Sequence, residues 1–331
     1  MALMAKIPDW DGRIGRRVTL RDLHILFAVV QHGSMAKAGT MLGKSQSAVS
    51  QAIAAIEEAV GVRLLDRTSR GVEPTAYGSV LLRRGRAAFD ELRLGVNEID
   101  CMADPSVGEV RIACAEFVSA GILPPIIDRL TMQYPRISLE VFETVSSTVE
   151  YEDLEYPELE DRRVDVRIAV RQPAWEGERA KKIFDAEVLC YDQICLAVGS
   201  SSPWARRRKI ELADLTKALW VAPPSAAAGA AAIMEAFRAQ GLPPPQVTVT
   251  TFSVGLRSFL GTSGRFVIAV PVSLLSLYSD RFALKRLPIE LPQSQLAIEM
   301  ITLKNRTLSP TTQLFIACAR EVTRSLRKEK G

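Results

Sequence analysis

Ser45, Gln46, Ser47, Ser50 and Gln51 cluster at the head of a stretch in which Val49, Ile53, Ile56 and Val60 recur every three to four residues. That spacing predicts an amphipathic helix with one buried stripe. Ser47, Ser50 and Gln51 fall opposite the stripe, with Gln46 near its edge. All are uncharged groups able to donate and accept hydrogen bonds, the chemistry that reads base edges in a DNA groove. A second cluster, Arg67, Thr68 and Arg70, suits phosphate oxygens or, for an arginine, a narrow minor groove. Taken alone, each cluster is also compatible with a solvated face.

Other chemistries have few residues to work with. The only histidines are His24 and His32, so the C-terminal part has no base for a Ser–His–Asp triad. Gly255, Gly261 and Gly264 are too far apart for a dinucleotide fingerprint. The five cysteines, Cys101, Cys114, Cys190, Cys195 and Cys318, include no CxxC pair and no zinc spacing. No metal, cofactor or enzymatic activity is therefore expected. Cys190 and Cys195 lie in an apolar run, residues 188–198, which favours packed thiols; a thiol redox sensor built on the two is the alternative. An α/β enzyme with an accessory DNA-binding domain is the alternative from a different class.

Two further helices should precede the Ser/Gln helix. Leu20, Leu23, Phe27 and Val30 form an apolar stripe that ends near His32-Gly33. Ser34 is placed to cap a second helix with Met35, Ala38 and Leu42 inward, and Ser45 to cap the third after Gly43 breaks the chain. Helix, glycine-containing turn, helix is the spacing of a helix-turn-helix, whose second helix enters the major groove. Alternation around 63–67, a glycine at the tip and Pro74 as a stop predict a two-stranded wing. From 75 to about 103 one long helix is expected. Leu81, Gly85, Ala88, Leu92, Val96 and Ile99 form a seam on it, for a second helix or for its own domain.

These residues carry a family resemblance. Residues 19–77 resemble the N-terminal winged helix-turn-helix of LysR-type transcriptional regulators. The match runs through Leu23, Phe27, Val30, Gly33-Ser34, Ala36, Ala38, Leu42 and Ser45-Gln46-Ser47-Ala48-Val49-Ser50. It continues through Ile53, Ile56-Glu57, Gly61-Val62-Arg63-Leu64-Leu65, Arg67, Pro74-Thr75 and Gly78. The family often has proline at 47 and a long basic residue at 51; Ser47 and Gln51 depart from this. Glutamine suits adenine in a bidentate pair where arginine prefers guanine, so the half-site should differ from the common one. The resemblance implies a DNA-contacting set of Ser34, Ser45, Gln46, Ser47, Ser50, Gln51, Arg67, Thr68 and Arg70. It also implies dimerisation through the long helix by Leu81, Ala88, Leu92, Val96 and Ile99. A dimer agrees with a reader of inverted repeats, because two-fold protein symmetry mirrors two-fold DNA sites.

Beyond Gly108 strands alternate with helices, the pattern of an α/β sheet with ligands at the carboxyl ends of strands. Strands are expected at 110–114, 137–141, 164–170, 188–198, 247–252, 266–270 and 296–302. Helices are expected at 121–134, 227–239, 254–261 and 310–326. This part resembles the effector-binding domain of the same family, two α/β subdomains of periplasmic binding protein type. The carrying stretches are Gly108-Glu109-Val110-Arg111-Ile112, Leu123-Pro124-Pro125, Tyr134-Pro135, Arg163-Val164-Asp165-Val166-Arg167-Ile168-Ala169, and Phe266-Val267-Ile268-Ala269-Val270-Pro271. By matching positions, an unidentified small-molecule effector would meet Glu116, Ser119, Ser146, Ser147, Ser225, Phe252 and Ser253. The segment 150–161 departs most, with seven acids, no base, and Pro157 interrupting an expected helix.

The expected organisation is a leader at 1–18, the winged helix-turn-helix at 19–77 and a linker helix at 78–106. The effector domain follows at 107–331, with subdomain I at about 107–169 and 271–331 and subdomain II at about 170–270. Charge follows the same division. Residues 1–86 hold 13 basic and 7 acidic residues, and the remainder 29 and 31, as for a nucleic-acid-binding end on a near-neutral body. The first residues lack a secretory core and no apolar run reaches the roughly 20 residues of a membrane span, so a cytoplasmic protein is expected, with no membrane partner. Together these readings imply a sequence-specific regulator on promoter DNA. The family resemblance further implies a homodimer assembling to a homotetramer, modulated by a small effector and acting on RNA polymerase.

Overall fold

The structure, a computed structural model, describes residues 17–68, 71–104, 107–144, 156–171, 178–225, 227–292 and 295–324 of the 331. The chain forms two compact units, residues 1–95 and 96–331.

The first unit contains helices α1 (Leu20–His32), α2 (Met35–Met41) and α3 (Gln46–Val60), strands β1 (Leu65–Thr68) and β2 (Gly71–Pro74), and most of α4 (Ala76–Ala103). A capping box starts α1: Thr19 accepts from the Asp22 amide while the Asp22 carboxylate accepts from the Thr19 amide. Left-handed Gly33 ends it. The expected apolar stripe of α1 needs correction. The residues it buries are Ile25, Leu26, Ala28 and Val29, whereas Leu20 is exposed and Leu23, Phe27 and Val30 are half-buried. The helix is covered on two sides, and Leu23 and Phe27 meet α4 around Gly85 and Phe89. Between α2 and α3 the backbones approach so closely that a Cβ on Gly39 would lie 2.7 Å from the Lys44 carbonyl oxygen.

Strands β1 and β2 pair antiparallel from Leu65↔Pro74 to Thr68↔Gly71, giving the expected wing; Ser69 and Arg70 at its tip lie outside the described residues. Two contacts fix its base. Glu57 Oε1, on α3, accepts from the amides of Leu64 at 2.7 Å and Leu65 at 3.2 Å. The Val72 amide donates to the Gly33 carbonyl at 2.9 Å. Thr75 caps α4 through the Gly78 amide, and a Cβ on Gly78 would come within 2.0 Å of the Leu64 carbonyl oxygen. Gly85, one of the expected seam residues, packs against its own unit.

The second unit is a sheet flanked by helices. Its strands are β3 (Gly108–Ala115), β4 (Ile137–Thr144), β5 (Val166–Val170), β6 (Phe184–Gly199), β7 (Leu219–Ala222), β8 (Val247–Thr250), β9 (Phe266–Pro271), β10 (Leu284–Arg286) and β11 (Gln295–Leu303). They run in the order β4-β3-β5-β11-β6-β9-β7-β8, with β10 also on β6. The sheet has two halves. β3 is parallel to β4 and β5, and β7 is parallel to β8 and β9. The sixteen-residue β6 belongs to both. It is antiparallel to β11 up to Gln193, and from Ile194 onward to β9 and then β10. Helices α5 (Glu116–Gly121), α6 (Leu123–Gln133), α7 (Pro157–Glu160), α8 (Glu178–Ile183), α9 (Ala228–Ala239), α10 (Val254–Thr262), α11 (Val272–Phe282) and α12 (Pro310–Val322) complete the unit.

Three differences from the expected elements have local causes. The helix expected over 121–134 is α6, which begins at Leu123 because Pro124 and Pro125 suit the first turn of a new helix; residues 116–121 before it form a separate helix, α5. Pro157 likewise opens α7 and does not interrupt a longer helix; residues 150–155 lie outside the described set. Strands β7 and β10 and helices α5, α8 and α11 have no counterpart in the sequence reading. Under the first half of the sheet a buried charge cluster ties three segments together. Asp165 accepts from Arg111 on β3 at 2.9 Å and from Arg306, beyond β11, at 2.7 Å. Burial alone would lift the Asp165 carboxyl, but the hydrogen bonds and charge of Arg111, with Arg306 beside it, hold it below its ordinary value. No helix among the described residues is long and apolar enough to cross a membrane.

Candidate nucleic-acid interface and ligand cleft

In the first unit, α3 has its apolar side inside and its polar N-terminal side outside. Val49, Ile53, Ile56 and Ala59 are buried, while Ser45, Gln46, Ser47 and Gln51 are exposed and Ser50 half-buried. Ser45 works as the N-cap, accepting from the Ala48 amide at 3.1 Å, and lies 2.9 Å from the Ser47 hydroxyl. The wing reaches the same face: Arg67 Nη2 donates to Ser50 Oγ at 3.3 Å and approaches Met35 Sδ at 3.7 Å. Thr68 is exposed, its hydroxyl donating to the Gly71 carbonyl at 3.3 Å. Ser34 sits at the N-cap of α2 without a side-chain capping bond. Structure thus brings Ser50 and Arg67 together and leaves the amide of Gln51 in solvent. Exposed Lys37 and Arg63 and half-buried Lys44 in the same unit add positive charge that the sequence reading did not single out.

On α4, the expected dimerisation residues divide. Leu81 packs against the core of its own unit, while Ala88, Leu92, Val96 and Ile99 are exposed. Met102, 86 % exposed, joins that exposed row.

In the second unit a cavity of about 200 Å³ opens at the carboxyl end of β3, lined by residues of both halves of the sheet. Of the expected set, Glu116 and Phe252 line it. Ser253 caps α10, accepting from the Leu256 amide at 3.1 Å and donating to Glu116 Oε1 at 3.1 Å; the Gly255 amide donates to the same oxygen at 3.3 Å. Ser119 lies 2.6 Å from Glu143 Oε1 and 2.8 Å from the Glu116 carbonyl oxygen. Ser225 is exposed and does not line the cavity. Ser146 and Ser147 lie outside the described residues. The sequence reading missed the residue that most sets the character of the cavity. Arg257 is 5 % exposed, on the buried side of α10 with Val254, Ser258 and Gly261. Burial pushes its guanidinium down to about 10, with Glu116 nearby acting in the opposite sense. An arginine in register with the apolar stripe of its helix was the available signal. The remaining wall is mostly apolar, with Phe117, Ile194, Pro223 and Leu296 among its members.

All five cysteines are buried, with no disulfide between them. Burial pushes Cys195 up to about 11 and Cys114 up to about 12, away from the reactive thiolate. Cys190 and Cys195 are five residues apart on one strand, so they point to opposite faces and belong to different core clusters. Five residues of strand span roughly 16 Å, against the roughly 4.4–6.8 Å between Cα atoms of a disulfide. The redox-pair alternative therefore fails on geometry.

Comparison with known proteins agrees with both halves of the molecule. The family model "Bacterial regulatory helix-turn-helix protein, lysR family" matches residues 20–79, and "LysR substrate binding domain" matches residues 103–324. The HTH-type transcriptional regulator GbpR of Azospirillum brasilense is 26 % identical over 305 residues, which cover 92 % of this chain and 86 % of that protein. GalR of Pseudomonas putida is 26 % identical over 302 residues, covering 91 % and 73 %. Among solved structures, CbnR in complex with its target DNA superposes with a TM-score of 0.62 at 20 % identity, covering 92 % of this chain and all of that one. Full-length OxyR from Pseudomonas aeruginosa gives 0.62 at 15 % identity, with 95 % and 99 % covered. With a helix-turn-helix followed by a wing and both family domains matched in order, the chain belongs to the LysR-type DNA-binding transcriptional regulators.

Proposed function

We propose that this regulator recognises an inverted-repeat promoter site as a dimer and that a small molecule in the C-terminal cavity alters how it does so. Base reading is assigned to the exposed face of Ser45, Gln46, Ser47, Ser50 and Gln51. Backbone contacts are assigned to Arg67 and Thr68, with Arg70 and the α2 cap Ser34 at the margin. The observation that carries the assignment is the Arg67–Ser50 contact, which sets a wing cation beside the reading face before DNA arrives. CbnR, similar in fold, has been solved with its target DNA.

The exposed row Ala88, Leu92, Val96 and Ile99 supports pairing through α4, because an apolar seam on a long helix is stable when a second helix covers it. Pairs of dimers would form a tetramer and act on RNA polymerase in the cytoplasm. An effector with different affinities for two arrangements of the dimers shifts their populations, and the DNA bend follows.

Fluorescence anisotropy on DNA from upstream of the gene, against a shuffled duplex across a salt series, tests the DNA reading. Tight binding to the first and weak, salt-labile binding to the second is expected. Absence of binding to either at low salt would remove it. Footprints with and without effector test the switch.

A further inference from the structure

Arg257 is a buried charge with no ion-pair partner among the described residues, although Glu116 acts on it from a distance. Its Nη1 donates to the Thr251 carbonyl at 3.0 Å, its Nε has no partner, and no described carboxylate lies within ion-pairing distance of it. A buried cation with no ion-pair partner is costly and gains strongly when an anion pairs with it. The hydroxyl of Thr144, in the same cavity wall, is also buried and without a partner.

The usual place for an anion, the N-terminus of α10, is already taken from within the protein. Glu116 Oε1 accepts from both Ser253 Oγ and the Gly255 amide, so an incoming anion is directed to Arg257. Half-buried Glu116 and exposed Glu143 also line the cavity and repel a second negative group. Between these charges the wall is Phe117, Ile194, Phe252 and Leu296.

We propose that the cavity takes a small monocarboxylate with an apolar body, its carboxylate on the Nε side of Arg257 and its body against the aromatic and aliphatic wall. This rests on reading the cavity as the effector site. It goes further by fixing the charge, the number of anionic groups and the residue that selects them.

The test uses full-length protein with three probes: phenylacetate, its neutral isostere phenylacetamide, and the dianion phenylmalonate. Calorimetry gives affinities, and ¹⁵N NMR of arginine side chains, assigned with Arg257→Lys, follows Arg257 Nε–H. Phenylacetate should move that resonance and bind at least about tenfold more tightly than either comparison probe, as expected for one charge-assisted pair. Arg257→Gln should abolish the preference, and Arg257→Lys should keep part of it. Phenylacetate that leaves Nε–H unmoved at its solubility limit, or phenylacetamide that binds equally well, overturns the proposal. Operator footprints separate this from the switching reading. A resonance that moves while the footprint stays constant keeps the monocarboxylate site and removes the switch. A footprint that responds to phenylacetamide while Nε–H stays still does the reverse.

Discussion

Glu57 ties the wing to the reading helix through a single carboxylate oxygen, and its removal has a calculable effect. Glu57→Ala leaves the amides of Leu64 and Leu65 without their acceptor, and both residues are buried, at 1 % and 6 % exposure. A buried donor left unsatisfied costs about 1–3 kcal/mol. Because the two amides share one oxygen of a half-buried side chain, the combined loss should be about 2–4 kcal/mol. Glu57→Gln keeps a carbonyl acceptor and should lose only about 1 kcal/mol, the charge-assisted part. Hydrogen exchange read by mass spectrometry is the suitable assay, since it reports each unit of a two-unit chain separately. Peptides covering 63–68 should exchange about 30- to 1000-fold faster in Glu57→Ala, while peptides from β6 serve as an unchanged control. An acceleration below roughly threefold, under about 0.7 kcal/mol, would mean that the wing is held elsewhere and that the assignment to Glu57 is wrong.

Other expectations follow from the same geometry. Gln51→Ala should cost about 1–3 kcal/mol at one base position and relax specificity there; equal losses on specific and random DNA would take Gln51 out of the base-reading set. Arg67→Ala should weaken binding to all sequences alike and reduce the salt slope by about one, measured by anisotropy across a salt series. Asp165 is held below its ordinary carboxyl value, so its contribution is full above about pH 4 and is lost as pH falls through the lower folded value. Arg306→Met, which removes a partner only 1 % exposed while Arg111 still pairs with Asp165, should cost about 1–3 kcal/mol at neutral pH and weaken that acid dependence in urea titrations.

What the sequence revealed depended on how many neighbours shape each segment. Helix α3 has one buried side, so Val49, Ile53 and Ile56 mark it in the residue pattern and Ser45 marks its start. Helix α1 is covered on two sides, and its outer pair Leu23 and Phe27 looks like a core stripe although the core proper takes Ile25, Leu26 and Val29. Strand β7 is only four residues long, and α11 follows β9 directly at Pro271 with no polar break, so neither stood out. The cleft was the least legible part. Family position located Glu116 and Phe252 in its wall, and put Ser253 on α10, where it bonds Glu116. The register of Arg257 with the apolar stripe of α10 was legible in the sequence, but its place at the cavity was not, because burial of a charge is a tertiary property. The five-residue spacing of Cys190 and Cys195 already contained their opposition across the strand, given that the run is a strand.

Strand β6 has a consequence for how the proposed ligand cavity could be retargeted. At sixteen residues it extends roughly 50 Å, and its partners change at Ile194, which also faces the cavity. The frame that fixes the distance between the two halves of the sheet is backbone hydrogen bonding, whereas the selectivity of the cavity is carried by side chains. Libraries at Ile194, Phe252 and Leu296 should therefore redirect chemical preference while the dimensions of the frame stay constant. Under the proposed function, a biosensor made this way would keep its promoter and change only its input.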